Sequence, residues 1–406
     1  MSEPSDSVVD DFMCAVMDGR IDAAREHLRR DASLANTRNP KAFGATPLNH
    51  AAARRNLELI DLLLEYGADI NAKSDWWAGP FGVLHSIPGD AIHLKDDLGD
   101  ETMGGRVSKH LIERGAIVDV HAAANLGMLD RLRELLDADP SLIEAPGGDG
   151  RRPLHFARSV PIAAFLLERG AELESRDIDH ESTPAQWAAS DRGEVARYLV
   201  ERGAAPDPIM AAAIGDLDLL RRTIAEEPDG ARLRITDERF PCAGDRAAGH
   251  IYMFTFGRNA TPLHAVASCR GTAEAARFLI ETGADPLARG GYDDGTPLHM
   301  AAWNDNAVVM EVLLDSGADI EVRSGPMHHN TPLGWAIVGG AVNVVELLLR
   351  RGAAVHRFHV EDAEAGVAGE FTKWSCAPRA NWERIAEMVA RAAGAAGAQA
   401  MPQPPR

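Results

Sequence analysis

The segment LELIDLLLEYGA (57–68) sets apolar side chains at one-, three- and four-residue steps and then stops at Gly-Ala. That spacing predicts a short helix with one buried stripe, and glycine accepts the left-handed conformation that ends a helix. VVELLLRRGA (344–353) repeats the pattern. Gly-Ala closes such runs at Gly67, Gly115, Gly170, Gly203, Gly283, Gly317 and Gly352. A second punctuation opens helices: Thr-Pro at Thr46, Thr183, Thr261, Thr296 and Thr331, with Arg152-Pro153 a degenerate copy. Threonine can cap a helix start, and proline is preset for the first helical position. Thr261, Thr296 and Thr331 follow one another at intervals of 35 residues. The chain reads as a tandem array, each unit a turn, a helix, a short loop and a second helix.

The openings themselves are TPLHAVA (261–267), TPLHMAA (296–302), TPLNHAA (46–52) and RPLHFA (152–157). These resemble the T-P-L-H-x-A signature of the ankyrin repeat, over roughly residues 8–356, in a bacterial-type variant with fingerless repeats and two insertions. The resemblance implies an all-α solenoid of about nine or ten helix-turn-helix repeats. It also implies short β-hairpin fingers, inner helices lining a concave groove and outer helices forming the back.

The array departs from a uniform ladder in two ways. Gly19, Gly127 and Gly215 align, each followed two residues later by Ile-Asp or Leu-Asp, and the later two sit too close behind Gly115 and Gly203 to leave room for a finger. Three blocks follow: 8–118, opening with an N-terminal capping repeat, then 119–206, then 207–356. There are also two insertions. Residues 86–105 fall between the helices of one repeat, and 232–259 occupy a finger position. HIYMFTF (250–256) in the second is rich in strand formers, which predicts a long hairpin reaching over the groove with Tyr252, Phe254 and Phe256 on one face. Beyond His356 the pattern fades into a linker and capping helix (357–394), followed by an Ala/Gly/Pro tail (395–406) expected to be disordered.

Fifteen histidines suggest a metal or acid–base signal, but register thins them. His85, His121, His155, His264 and His299 fall at the histidine of the signature or its equivalent, which in the family is structural and bonds the neighbouring turn. His180 with Glu181, and His328 with His329, instead replace the Asp-Gly common at that turn. Histidine in place of glycine forgoes turn freedom. Tyr292, Asp293 and Asp294 lie in the finger beside His328 and His329, and two histidines with a carboxylate could bind a divalent metal or do acid–base work. Solvated or protein-contacting fingertips are the plainer reading.

The position after the signature histidine faces the groove in the family. Here it holds Phe156, Trp187, Met300 and Trp335 among others, with Trp303 one turn beyond Met300. Large apolar groups there mark a binding surface or are buried beneath the insertion. Trp76 and Trp77, at a fingertip, form a second candidate anchor.

The balance of 42 basic against 61 acidic residues gives a net charge of −19, which repels phosphate backbones and favours basic partners. No apolar run is long enough for a membrane helix, the start lacks the pattern of a signal peptide, and four scattered cysteines fit reduced thiols in the cytoplasm. The leading expectation is a non-catalytic cytoplasmic module gripping a basic protein or peptide, with no cofactor and no nucleic-acid or membrane partner. The alternative is an enzyme whose hairpin-roofed pocket takes a small-molecule ligand, with His328, His329, Asp293 and Asp294 as acid–base or divalent-metal groups.

Overall fold

The computed structural model describes residues 6–85, 103–227, 229–269, 271–325, 330–371, 375 and 377–396. The chain forms two compact units. The first comprises Met1–Ala188, Glu194–Ala204 and Cys242–Ala248; the second comprises Ala189–Gly193, Ala205–Pro241 and Gly249–Arg406. The three blocks inferred above rest on repeat phase; compactness divides the chain into two.

Regular structure among the described residues is helical. The fingers are reduced to two isolated antiparallel bridges, Asn39 with Ala45 and Gly290 with Gly295. In the first unit the helix pairs include Pro47–Ala53 with Leu57–Glu65 and Val120–Asn125 with Leu129–Ala138. In the second, Pro262–Ser268, Pro297–Trp303 and Pro332–Gly339 are inner helices, paired with Ala273–Glu281, Ala307–Asp315 and Val342–Arg350. The apolar stripe read in 57–68 is the buried one: Leu59, Ile60, Leu62 and Leu63 all face the core. Gly317 (φ 91°) and Gly352 (φ 91°) end their helices left-handed. The following amides of Ala318 and Ala353 reach back to the carbonyls of Leu313 and Leu348 at 3.1 and 2.9 Å, so the last turn is closed.

The signature histidines are bolts between successive repeats. In His155 the Nδ1 accepts from the Arg152 amide (3.0 Å), and the Nε2 donates to the Ser182 carbonyl of the next turn (3.1 Å). His299 does the same with the Thr296 amide (3.2 Å) and the Asn330 carbonyl (3.0 Å). His264 links the Thr261 amide (3.1 Å) to the Gly295 carbonyl (3.5 Å). Accepting at one nitrogen and donating at the other requires the neutral ring. Burial pushes His155 and His299 down to about 4 and His264 to about 3, and nearby arginines add to this. Where the repeat lacks histidine, Gln186 Oε1 and Asn49 Oδ1 accept the same cap amide at 3.0 Å.

Two expected features take another form. Tyr252 lies in a helix, Ile251–Thr255, rather than in a strand of a hairpin. Tyr252 and Phe256, four residues apart, are both wholly buried, while Phe254 turns outward at 41% exposure. A strand would have put all three on one face; one helical turn separates them. Arg357–Ala368, in the stretch read as a linker, is likewise a helix, preceding Arg379–Ala396. His359 accepts from the His356 amide at Nδ1 (3.1 Å), so this segment is a degenerate further repeat. Residues 86–102 of the first insertion and 397–406 of the tail lie outside the described residues.

Two expectations follow. Free histidine titrates near 6.5, whereas the buried rings stay neutral to about 4 or 3. The unfolded chain therefore takes up protons first, and stability is lost as pH falls from about 6.5 towards 4. His299→Gln should keep the cap acceptor and reduce proton uptake on unfolding at pH 5 by close to one, read as a shallower slope of urea stability against pH; an unchanged slope would mean the ring is charged in the fold. Gly317→Val should destabilise by about 1–2 kcal/mol in urea melts, through the left-handed backbone alone, because nothing lies within 4 Å of its Cβ position.

Candidate functional site

The candidate residues fall into three groups. In the second unit, Thr331 caps Pro332–Gly339 and Thr296 caps Pro297–Trp303, which brings Trp335 and Trp303 side by side. Their rings meet edge-on at 6.1 Å, and Trp335 also meets His299 edge-on at 5.2 Å. The Trp335 indole donates to Ser324 Oγ (3.2 Å), and both tryptophans stay half-buried, while Met300 is buried at 3% exposure. The adjacent finger turns at Tyr292–Asp294, with Asp293 (φ 50°) and Asp294 (φ 51°) both left-handed. Such backbone costs most non-glycine residues about 1–2 kcal/mol each, and aspartate less, because its short side chain can bond locally. The turn leaves both carboxylates exposed, with Arg289 3.4 Å from Asp294. Tyr292 donates to the Phe254 carbonyl, and burial pushes its hydroxyl up to about 12. His328 and His329 lie outside the described residues, so the paired-histidine site with Asp293 and Asp294 has no geometry to report.

Gly334 stands where the signature has histidine, which sequence alone suggests leaves room beside Trp335. The Thr331 hydroxyl there bonds Nε2 of the buried His359 instead (3.1 Å), so an imidazole from the following segment serves that joint.

Tyr252 is core rather than a groove contact. Its hydroxyl donates to Asp207 Oδ2 (2.9 Å), and its ring packs against Phe240 (5.3 Å), His250 (4.7 Å) and Phe256 (5.8 Å). Burial, followed by the Asp207 charge and its hydrogen bond, raises the Tyr252 hydroxyl well above its ordinary range.

The third group lies in the first unit. Phe156 (2% exposed) and Trp187 (8% exposed) are covered rather than open to the groove, and the Arg151 guanidinium sits between them, 4.1 and 4.3 Å from the ring centres. Trp187 donates to Asp177 Oδ1 (3.1 Å), and His180 meets its edge at 5.3 Å. Trp76 and Trp77 are half-buried, 6.1 Å apart, and Arg246 lies 4.6 Å over Trp77. Burial raises the Asp179 carboxyl, with His180 and the Ala248 amide pulling it partway back. Arg151, Asp179, Glu181 and Arg246 were not among the candidates from sequence; Glu181 at a turn normally held by glycine was the available signal.

Among the described residues, two groups combine histidine and carboxylates within 4.8 Å: His85–Asp119–His121 and Asp149–Asp179–His180. In the first, the Gly82 amide donates to His85 Nδ1 (3.2 Å), which puts the ring proton on Nε2, facing Asp119 Oδ1 and Oδ2 at 3.0 and 3.1 Å. His85 thus donates to the carboxylate. Burial alone would raise Asp119, but His85, the Ala122 amide and His121 hold it well below the ordinary range. In the second, Arg151 Nε stands 3.7 Å from Asp149 and supplies positive charge.

Ankyrin-repeat profiles match residues 120–210 and 208–324, each as three copies, and single ankyrin repeats match 43–72 and 328–358. The chain belongs to the ankyrin-repeat family, and as such an array it is a protein-interaction module. It is 25% identical over 361 residues to the E3 ubiquitin-protein ligase KEG of Arabidopsis thaliana, covering 83% of this chain and 19% of that protein. To ankyrin repeat and SOCS box protein 16 of Homo sapiens it is 31% identical over 243 residues, 57% of this chain and 44% of that protein. To the putative palmitoyltransferase ZDHHC13 of Danio rerio it is 25% identical, covering 56% of this chain and 34% of that protein. The chain therefore spans less than half the length of each of these relatives. No helix among the described residues is long and apolar enough to cross a membrane.

Tyr252→Phe should lower stability by about 1.5–3 kcal/mol, the range for a hydrogen bond to a charged acceptor, with the helical circular dichroism unchanged. An unaltered urea midpoint would show that the Asp207 bond contributes nothing.

Proposed function

We propose that the chain is a cytoplasmic binding module gripping a basic protein or peptide segment across Trp303 and Trp335 of the second unit. The observation that carries this reading is two half-buried tryptophans beside a fingertip whose paired carboxylates, Asp293 and Asp294, are held outward at a backbone cost. Aromatic faces and carboxylates together favour lysine or arginine. The net charge of −19 steers such partners in and works against nucleic acid. Cys14, Cys242 and Cys269 are in no disulfide, which fits a reducing compartment.

Binding to a panel of labelled basic peptides, followed by fluorescence anisotropy, tests the surface. Trp335→Ala should weaken the best binder by roughly 30- to 1000-fold, as loss of a central aromatic anchor does, with the melting temperature nearly unchanged. Affinity should also fall as salt rises. Undiminished binding by a protein that melts far lower would make Trp335 ordinary core.

A further inference from the structure

Residues 242–248 leave the second insertion and lie on the fingers of the first unit, to which they belong by compactness. The Gly244 amide donates to Glu181 Oε1 (2.7 Å), and the Ala248 amide donates to the Asp179 carbonyl (3.0 Å) with Oδ1 of the same residue at 3.2 Å. Cys242 Sγ donates to the His180 carbonyl (3.3 Å), and Arg246 covers Trp77 at 4.6 Å. Apart from the thiol and the guanidinium, these contacts are main-chain donors on the strap meeting acceptors on the face. Very little apolar burial holds the strap: Ala243, Gly244, Asp245, Arg246 and Ala248 all remain exposed.

The face beneath is built differently. Asp177, Asp179 and His180 are buried, and Asp177 fixes the turn by accepting from the amides of His180 (2.7 Å) and Ser182 (2.8 Å). Glu181 is held left-handed at φ 47°, which aims its carboxylate at the strap from a position that glycine would occupy without strain. A rigid, acidic and aromatic face thus carries a weakly held segment that meets it through amides and one arginine. That is the relation of a receptor surface to a peptide.

We propose that this face is a docking site for a turned, arginine-bearing peptide segment of another protein, and that residues 242–248, which bend at Gly244 with the Ala247 amide donating to the Gly244 carbonyl (3.0 Å), are its resident, displaceable occupant. A tethered segment competes at an effective concentration on the order of millimolar, so the resident strap masks the face from weak ligands and yields to a stronger one. The site uses none of the residues assigned to the surface in the second unit.

The test uses the full chain with 242–248 replaced by a Gly-Ser linker of equal length, and a fluorescein-labelled peptide of residues 240–249 carrying Cys242→Ser. The linker variant should bind the peptide at least tenfold more tightly than the unaltered chain. Arg246→Ala in the peptide, or Trp77→Ala in the linker variant, should remove at least tenfold of that affinity. Trp335→Ala in the linker variant should leave it unchanged, which separates this site from the other surface. A linker variant of unchanged helical content that binds no more tightly than the unaltered chain overturns the proposal, as does an Arg246→Ala peptide that binds equally well. Should the linker variant fail to fold, hydrogen exchange on the unaltered chain decides: excess peptide should speed exchange at the Gly244 and Ala248 amides, and unchanged rates would overturn the proposal.

Discussion

The repeats are joined through a neutral imidazole that accepts an amide proton from its own helix cap and donates one to the carbonyl of the next turn. The rings of His155, His264 and His299 are wholly buried, so their nitrogens cannot turn to water in place of these partners. Apolar stripes on the paired helices supply the bulk of the burial, but that attraction has no direction. The imidazole fixes phase between one repeat and the next, and so decides where each finger and each groove residue stands. Trp335 meets His299 edge-on because that ring is already pinned to Asn330.

Helix starts, helix ends and the structural histidines were legible because each depends on a residue with a local physical role: threonine as cap, proline at the first turn, glycine at the left-handed end. HIYMFTF misleads because its residue types suit a strand, and tertiary packing decided otherwise: Tyr252 and Phe256 find one buried face only with helical spacing. His359 escaped notice because no Thr-Pro precedes it, although it repeats the cap bond of the signature. The site was legible in part. Trp303 and Trp335 come together as the repeat register requires, whereas Phe156 and Trp187 close around Arg151, whose approach no periodicity announces.

Left-handed non-glycine residues draw the two proposed surfaces together in kind. Glu181 in one unit, and Asp293 and Asp294 in the other, each hold a carboxylate at a turn where glycine would fit without strain. Backbone strain of this sort persists where the surrounding contacts over-determine it, and it gathers at functional positions. Here it sets fixed negative charge where a ligand would be met: Glu181 holds the Gly244 amide, and the aspartates stand in the finger beside Trp335.

The interleaving of the two compact units has a consequence for how the chain can be divided. The path passes from the first unit to the second at 188/189, returns at 193/194, leaves again at 204/205, and visits the first unit once more over 242–248. No single cut yields two complete halves. A fragment ending at Ala204 carries residues 189–193 that belong to the other unit and lacks 242–248 of its own, while a fragment beginning at Ala205 keeps that strap and forfeits Ala189–Gly193. Recombination or truncation between repeats, which a uniform ladder tolerates at almost any joint, would here leave each piece missing a segment that lies far away in sequence.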